Sequence, residues 1–410
     1  MTTLDQSFTL PCGVTLKNRL LKSAMSESLG TLDNRVTSAL PVLYGRWARG
    51  GIGTLVTGNV MIDARALGEP HVILLEDDRD AALLTEWATA GSENGTQHWM
   101  QLNHPGKQVP RGLCRETVSP SAVPFGPDLA RFFSTPRALT ESEIEDLVER
   151  FGRSARLAKQ AGFTGVQIHG AHGYLVSQFL SPRHNRRDDA WGGTPERRMR
   201  FVVEVYKSIR AAVGERFPVS IKLNSADFQK GGFSEEESLD VVSALSELGI
   251  DLIEISGGTY EAPAMAAGVP QRDSTRMREA YFLEFAEKVR LRTRIALAVT
   301  GGFRTREGVD AALASGALDV AGLARSLVLD PELPNRWLAG ESVNSQVKPL
   351  RTGISLVDKA GLMEVAWYAR QLHRLGKGLE PRPNENLRLA LVSILAGQTF
   401  GGMRTRMRAS

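Results

Sequence analysis

The sequence predicts an α/β protein whose main body is a (β/α)8 barrel, and three observations carry that reading. Apolar or β-branched runs of five to nine residues alternate with stretches of helical period, the pattern of parallel strands joined by helices. Eight such units fall between residues 19 and 339, the number that closes a parallel sheet on itself. No Gly-x-Gly-x-x-Gly follows the first strand, so a dinucleotide-binding open sheet is not indicated.

Each element has a local reason. FTLPCGVTL (8–16) sets a Cys12–Gly13 turn between two short runs, a hairpin suited to plug the bottom of the barrel. The strands then follow as RLLKSAM (19–25), TLVTGNVMI (54–62), QHWMQL (97–102), GVQIH (165–169), VSIKLN (219–224), LIEIS (252–256), IALAV (295–299) and DVAGLA (319–324). Helical periodicity covers 37–50, 77–94, 140–162, 196–214, 234–248, 277–292, 305–316 and 331–339. Thr140 followed by Glu143 and Ser234 followed by Glu237 have the spacing of capping boxes, the signal of a helix start. The connections after the third strand (103–139), the fourth (170–195) and the sixth (257–276) are long. In a barrel all three lie at the C-terminal face, where active sites are built. The barrel is assigned to residues 1–340 and a basic helical extension to 341–410.

Composition narrows the class. A chain of 410 residues, 42% hydrophobic and 23% charged, supports a large core under an ordinary soluble surface. No basic segment leads into an apolar run at the N-terminus, and no stretch approaches the roughly 18 apolar residues of a membrane span. Cys12 and Cys114 are too few for a disulfide framework or an iron–sulfur cluster, so a reducing cytoplasm is the expected location. The net charge of +4 is uneven: from Arg370 to Ser410, eight Arg or Lys stand against two Asp or Glu. That tail also holds LRLALVSILAG (387–397), an apolar helical stretch that needs a packing surface. Docking on the barrel or on a second subunit is therefore expected, rather than nucleic-acid binding. KGLEPRPNEN (377–386) reads as a bend between it and a helix at 355–376.

The chemistry concentrates at the strand ends. GVQIHGAHGY (165–174) carries two histidines three apart and a tyrosine two further on, leaving the fourth strand. Catalytic zinc wants three protein ligands and an open position. No acidic residue ends strands one, three, four or five, and Lys222 would repel a cation, so no metal is expected. Instead Ser26, Gln101, His169, His172 and Lys222 form a set of neutral and positive hydrogen-bonding groups. VTGGFRT (299–305) brings Gly301 and Gly302 to the end of strand seven ahead of a helix, and GLAR (322–325) ends strand eight on Ala324 and Arg325. Barrels bind phosphate at that place. A phosphorylated ligand with a polar ring across the mouth is implied, and FMN meets both demands.

These stretches resemble the old yellow enzyme family of FMN-dependent ene-reductases, also called NADH:flavin oxidoreductases. The resemblance rests on LKNRLLKSAM (16–25), QLNHPGK (101–107), GVQIHGAHGYLVSQFLSPRHNRRDDAWGG (165–193) with ERRMRF (196–201), TGGFR (300–304) and DVAGLARSLVLDPELP (319–334), in order, over about residues 5–340. It implies that Ala24, Met25 and Ser26 line the isoalloxazine, that Gly58 permits close approach to the ring, and that Gln101 reads the pyrimidine edge. Lys222 would stand beside N1 and O2, where its charge favours the anionic reduced flavin. Gly301, Gly302, Ala324 and Arg325 would hold the phosphate. His169 and His172 would bind the substrate's electron-withdrawing oxygen, and Tyr174 would donate the proton.

Ala24 stands where proline is common, Ser26 where threonine or cysteine is, and Lys107 where arginine is more usual. Asn185, Arg187, Asp188 and Gly193 are expected to fix the loop after strand four, and Trp47 and Trp87 to be core or interface residues. With no tyrosine just after the first strand, the substrate ceiling is expected to be apolar or to come from Trp99, Phe132 or Trp191. The implied reaction is NAD(P)H-driven reduction of the C=C bond of enones, enals or nitroalkenes. An NADH oxidase or a dehydrogenase or demethylase on the same barrel is the alternative, and a metal-dependent barrel hydrolase a distant one.

Overall fold

The computed structural model describes residues 2–259, 282–348, 350, 362–387 and 390. Its strands are β1 (Leu20–Lys22), β2 (Thr54–Met61), β3 (Gln97–Asn103), β4 (Gly165–Gly170), β5 (Val219–Asn224), β6 (Leu252–Ser256), β7 (Leu297–Thr300) and β8 (Val320–Leu323). All eight are parallel neighbours, and β1 closes the ring by pairing with β8 (Leu20 opposite Ala321) and with β2 (Leu21 opposite Thr54). The helices between them are α1 (Ala39–Arg49), α2 (Ala81–Gly91), α3 (Glu141–Gln160), α4 (Pro195–Val213), α5 (Glu235–Glu247), α6 (Leu283–Arg292), α7 (Arg306–Ala314) and α8 (Leu333–Leu338). The fold is the (β/α)8 barrel that the alternation predicts.

Local signals place these elements. Both capping boxes form, Thr140 Oγ1 accepting from the Glu143 N–H and Ser234 Oγ from the Glu237 N–H. Helix α3 buries Ile144, Leu147, Phe151, Ala155 and Ala158, one stripe at helical spacing. The first strand is shorter than its apolar run suggests. Ser23 still donates its N–H to the Leu323 carbonyl, and beyond it the chain leaves the sheet.

The hairpin, Phe8–Thr9 against Thr15–Leu16, turns through Gly13 at φ 87° and drives Leu10 and Leu16 into the barrel's N-terminal end. There they meet Leu21, Val56, Trp99 and Leu252. Trp99 is thus a floor residue and cannot form a substrate ceiling. Trp191 is also excluded from that role: it is 2% exposed in the main core, with the Arg200 guanidinium 4.2 Å from its ring centroid. Of the three aromatic candidates, Phe132 alone is exposed. Trp47 and Trp87 are core residues of the helical layer.

A further helix, α9 (Leu362–Leu375), lies against α1 and a short helix at Arg325–Leu329. It buries Trp367, Tyr368, Leu372 and Leu375. The expected loop at 260–276, the start of the sixth helix at 277–281, the tail helix before 362 and almost all of the stretch 387–397 lie outside the described residues. Among the described residues no helix is long and apolar enough to cross a membrane.

Candidate active site

β4 ends in His169 and Gly170, and the chain then turns sharply. His172 adopts φ 61°, a left-handed conformation uncommon for a residue with a side chain, and Gly173 follows at φ 77°. The Asn224 side chain holds this turn by accepting the His172 N–H at 3.2 Å. The result brings three rings together: His169 and His172 lie 5.2 Å apart edge-on, and Tyr174 meets His169 at 4.7 Å. His169 Nδ1 accepts the Ala171 N–H at 3.3 Å, which leaves its proton on Nε2. His172 Nε2 lies 2.8 Å from Ser256 Oγ, at the end of β6.

Burial first, then the neighbouring His172 and Lys222, hold His169 well below the usual imidazole range. Burial and Lys222 push His172 down to about 3 despite Glu254. Both rings are neutral at physiological pH and act as hydrogen-bonding groups rather than as charges.

Lys222 sits on β5 opposite His169 of β4 and Glu254 of β6. Its ammonium lies 3.1 Å from Glu254 Oε1 and donates to Ser23 Oγ at 2.5 Å. Gln101 joins the same network, donating to Gln167 Oε1 at 2.8 Å, while Gln167 donates to Glu254 Oε2 at 2.8 Å. Sequence reasoning placed Gln101 and Lys222 at the site but passed over Ser23, Gln167, Glu254 and Thr300. One signal was available: VSIKLN and LIEIS each embed a single charge, of opposite sign, in an otherwise uncharged strand.

Ala24, Met25 and Ser26 are half-buried at the rim just after β1. The Ser26 hydroxyl bonds the Glu69 carboxyl, which burial and the nearby Glu27 raise to about 7 against the opposing effects of Ser26 and Asn59. Gly58 has a structural reason of its own. A Cβ there would sit 2.6 Å from the Met25 carbonyl oxygen and 3.0 Å from the Glu27 carboxyl carbon, so the loop after β1 requires the glycine.

Behind that loop lies a buried charge cluster that the sequence did not announce. Lys22, on the outer side of β1, donates to Glu27 (3.1 Å), Tyr44 Oη (3.2 Å) and the Val56 carbonyl (2.9 Å), and lies 4.5 Å from the Trp47 ring. Tyr44 also donates to Glu27. Removing one partner of such a pair strands the other charge, at a cost of about 3–5 kcal/mol. Glu27→Ala should therefore lower unfolding stability by that amount in a denaturant titration, whereas a surface-type loss below about 1 kcal/mol would contradict the cluster.

At the opposite end of the mouth, Gly301 and Gly302 adopt φ 122° and 98°, backbone conformations that side chains resist. Thr305 caps α7 just beyond them by accepting the Gly308 N–H at 3.0 Å. Ala324 precedes the short helix that Arg325 opens, and Arg325 Nη1 bonds Glu364 of α9 at 3.0 Å. The family departure at Lys107 has a visible use: its buried ammonium lies 3.1 Å from His184 Nδ1 and 4.2 Å from the Phe125 ring centroid, tying the β3 and β4 loops together. His104 anchors its own turn, Nδ1 accepting from the Gly106 N–H. Asn185 and Arg187 bind carbonyls of Phe179, Trp191, Pro120 and Leu139, bracing the loop after β4. Among the described residues no group of three or more His, Cys, Asp or Glu is arranged to hold a metal ion.

The donor set suits FMN. Two glycines at positive φ just after β7 and an arginine just after its neighbour β8 match a phosphate, and a lysine and a glutamine on β5 and β3 match the polar edge of the ring. A closed barrel furnished in this way belongs to the class of flavin-dependent oxidoreductases. The chain is a member of the NADH:flavin oxidoreductase / NADH oxidase family, the old yellow enzyme family, whose sequence model matches residues 8–344. It is 39% identical over 407 residues to the NADH-dependent flavin oxidoreductase iccE of Talaromyces variabilis, covering 91% of this chain and 98% of that one. It is 40% identical to the NADH-dependent flavin oxidoreductase iliE of Neonectria sp. (strain DH2), covering 89% of this chain but spanning only 50% of that longer protein. The old yellow enzyme homologue from Zymomonas mobilis superposes with a TM-score of 0.72 at 25% identity, over 84% of this chain and 95% of that one. The protein is accordingly an FMN-dependent oxidoreductase that takes NAD(P)H as reductant.

Proposed function

We propose that the protein reduces the C=C bond of activated alkenes, enones and enals foremost, with nitroalkenes as further candidates. The observation that supports this reading is the convergence of His169, His172 and Tyr174 at the end of β4, beside Lys222. Bound FMN supplies the hydride. Its ring would rest on Ala24, Met25, Ser26 and Gly58 with its pyrimidine edge toward Gln101 and Lys222, and its phosphate would be held by Gly301, Gly302, Ala324 and Arg325. His169 and His172, both neutral, grip the carbonyl or nitro oxygen and draw electron density from the alkene as an oxyanion hole does. Tyr174 holds the proton for the alkene carbon α to the carbonyl or nitro group.

Anaerobic stopped-flow mixing of the NAD(P)H-reduced holoenzyme with cyclohexenone and with a nitroalkene tests this. Rapid flavin reoxidation with formation of the saturated product is expected. Reoxidation by oxygen alone, with both alkenes inert, would point to an NADH oxidase and overturn the proposal. Removing one donor of such a pair typically costs about 10²-fold or more in rate. His169→Ala and His172→Ala should each show that loss, together with a weakened charge-transfer band on titration with a phenol. A band unchanged in both variants would refute the shared-oxygen role.

A further inference from the structure

We infer that Glu254 is the fixed counter-ion of Lys222 and lowers the redox potential of the bound flavin by cancelling the lysine's charge. This rests on the reading above that the pyrimidine edge of FMN meets Lys222. The register of β5 and β6 sets the two residues directly opposite, 3.1 Å apart, with side chains 4% and 0% exposed. Glu254 is also held by three neutral donors, Ser23 Oγ at 2.5 Å, Thr300 Oγ1 at 2.6 Å and Gln167 Nε2 at 2.8 Å. Burial alone would favour the protonated acid. Lys222 and these hydrogen bonds reverse that and keep the carboxyl below its ordinary range.

The arrangement has an electrostatic consequence at the cofactor. A lone cation beside the pyrimidine edge would stabilise the negative charge that remains there after the ring gains two electrons and one proton. A cation with an anion locked 3.1 Å away presents mainly a dipole, and most of that stabilisation is lost. Lys222 nevertheless keeps a donor to offer: an ammonium has three N–H groups, and Ser23 and Glu254 occupy two. Hydrogen bonding to the ring and charge stabilisation of the ring are thus separated. A buried ion pair adds little stability over an apolar pair of the same volume, so the fold by itself does not call for one here.

Spectroelectrochemical titration of the FMN-loaded protein reads this directly. Glu254→Gln should shift the two-electron equilibrium toward reduced flavin at least tenfold, a rise of about 30 mV. Glu254→Asp, which keeps the charge, should stay near the native potential, and Lys222→Gln should shift it at least tenfold the other way. FMN-loaded Glu254→Gln with an unchanged potential overturns the inference, as does an equal shift in Glu254→Asp, which would implicate shape rather than charge. If Glu254→Gln does not fold, Lys222→Gln decides, and an unmoved potential there overturns the pairing. A native chain that takes up no FMN would overturn the cofactor reading itself, whereas full loading with flat potentials would overturn only this inference.

Discussion

Tyr174→Phe should slow alkene reduction by about 10²- to 10⁴-fold, the usual contribution of a positioned general acid, and leave flavin reduction by NAD(P)H unchanged. The two half-reactions differ in one demand, since only the oxidative one puts a proton on carbon. The substitution is clean because the ring stays: Tyr174 is 6% exposed, packs edge-on against His169 at 4.7 Å, and leads into the short helix Leu175–Leu180. Phenylalanine preserves that packing and deletes only the hydroxyl. Stopped-flow rates for each half-reaction, with the flavin absorbance as signal, separate the cases. Equal losses in both would mean that Tyr174 shapes the site rather than supplying the proton.

Acidification should unfold the protein well before its carboxylates are all protonated. Six of the seven histidines are held below their ordinary pKa, with burial the leading cause for each: His98, His172 and His184 at about 3, His104 at about 4, and His169 and His373 lowered. His98 shows why. It is sealed between Tyr44, Trp87 and Phe163, with ring centroids 4.7–5.9 Å away. The unfolded chain protonates these rings near pH 6.5 and the folded chain does not. Between about pH 6.5 and 4 the unfolded state therefore binds more protons, and stability falls with pH by up to about 1.4 kcal/mol per unit for each ring. Glu69, raised to about 7 by burial, and Asp227, also raised by burial, act in the opposite direction over part of the window, as two groups against six. Melting temperature measured from pH 8 to 4.5 should be level at first and then drop steeply below about 6.5. A level profile down to pH 5 would contradict the neutral, buried histidines.

The loop after β4 shows how far a local reading reaches. His169, His172 and Tyr174 were legible because they sit within six residues of one another at a strand end. The C-terminal end of every strand of a parallel barrel faces the same mouth. Gly301, Gly302 and Arg325 were legible for the same reason. Gly58 has a reason that no local pattern shows, since its missing Cβ makes room for Met25 and Glu27 of its own chain.

The sequence by itself determined the order and type of the elements, the closure number and the residues at the mouth, because period, caps and turns are properties of short windows. It did not reveal depth or partnership. Trp99 lies at the floor because the hairpin enters from below and seals that end. Glu254 finds Ser23 across 231 positions and Lys22 finds Tyr44 across 22, through strand register and helix packing that exist only once the ring has closed. The neutrality of the histidines is also a tertiary fact, since it is burial, absent from any local pattern, that removes the water a protonated ring would need.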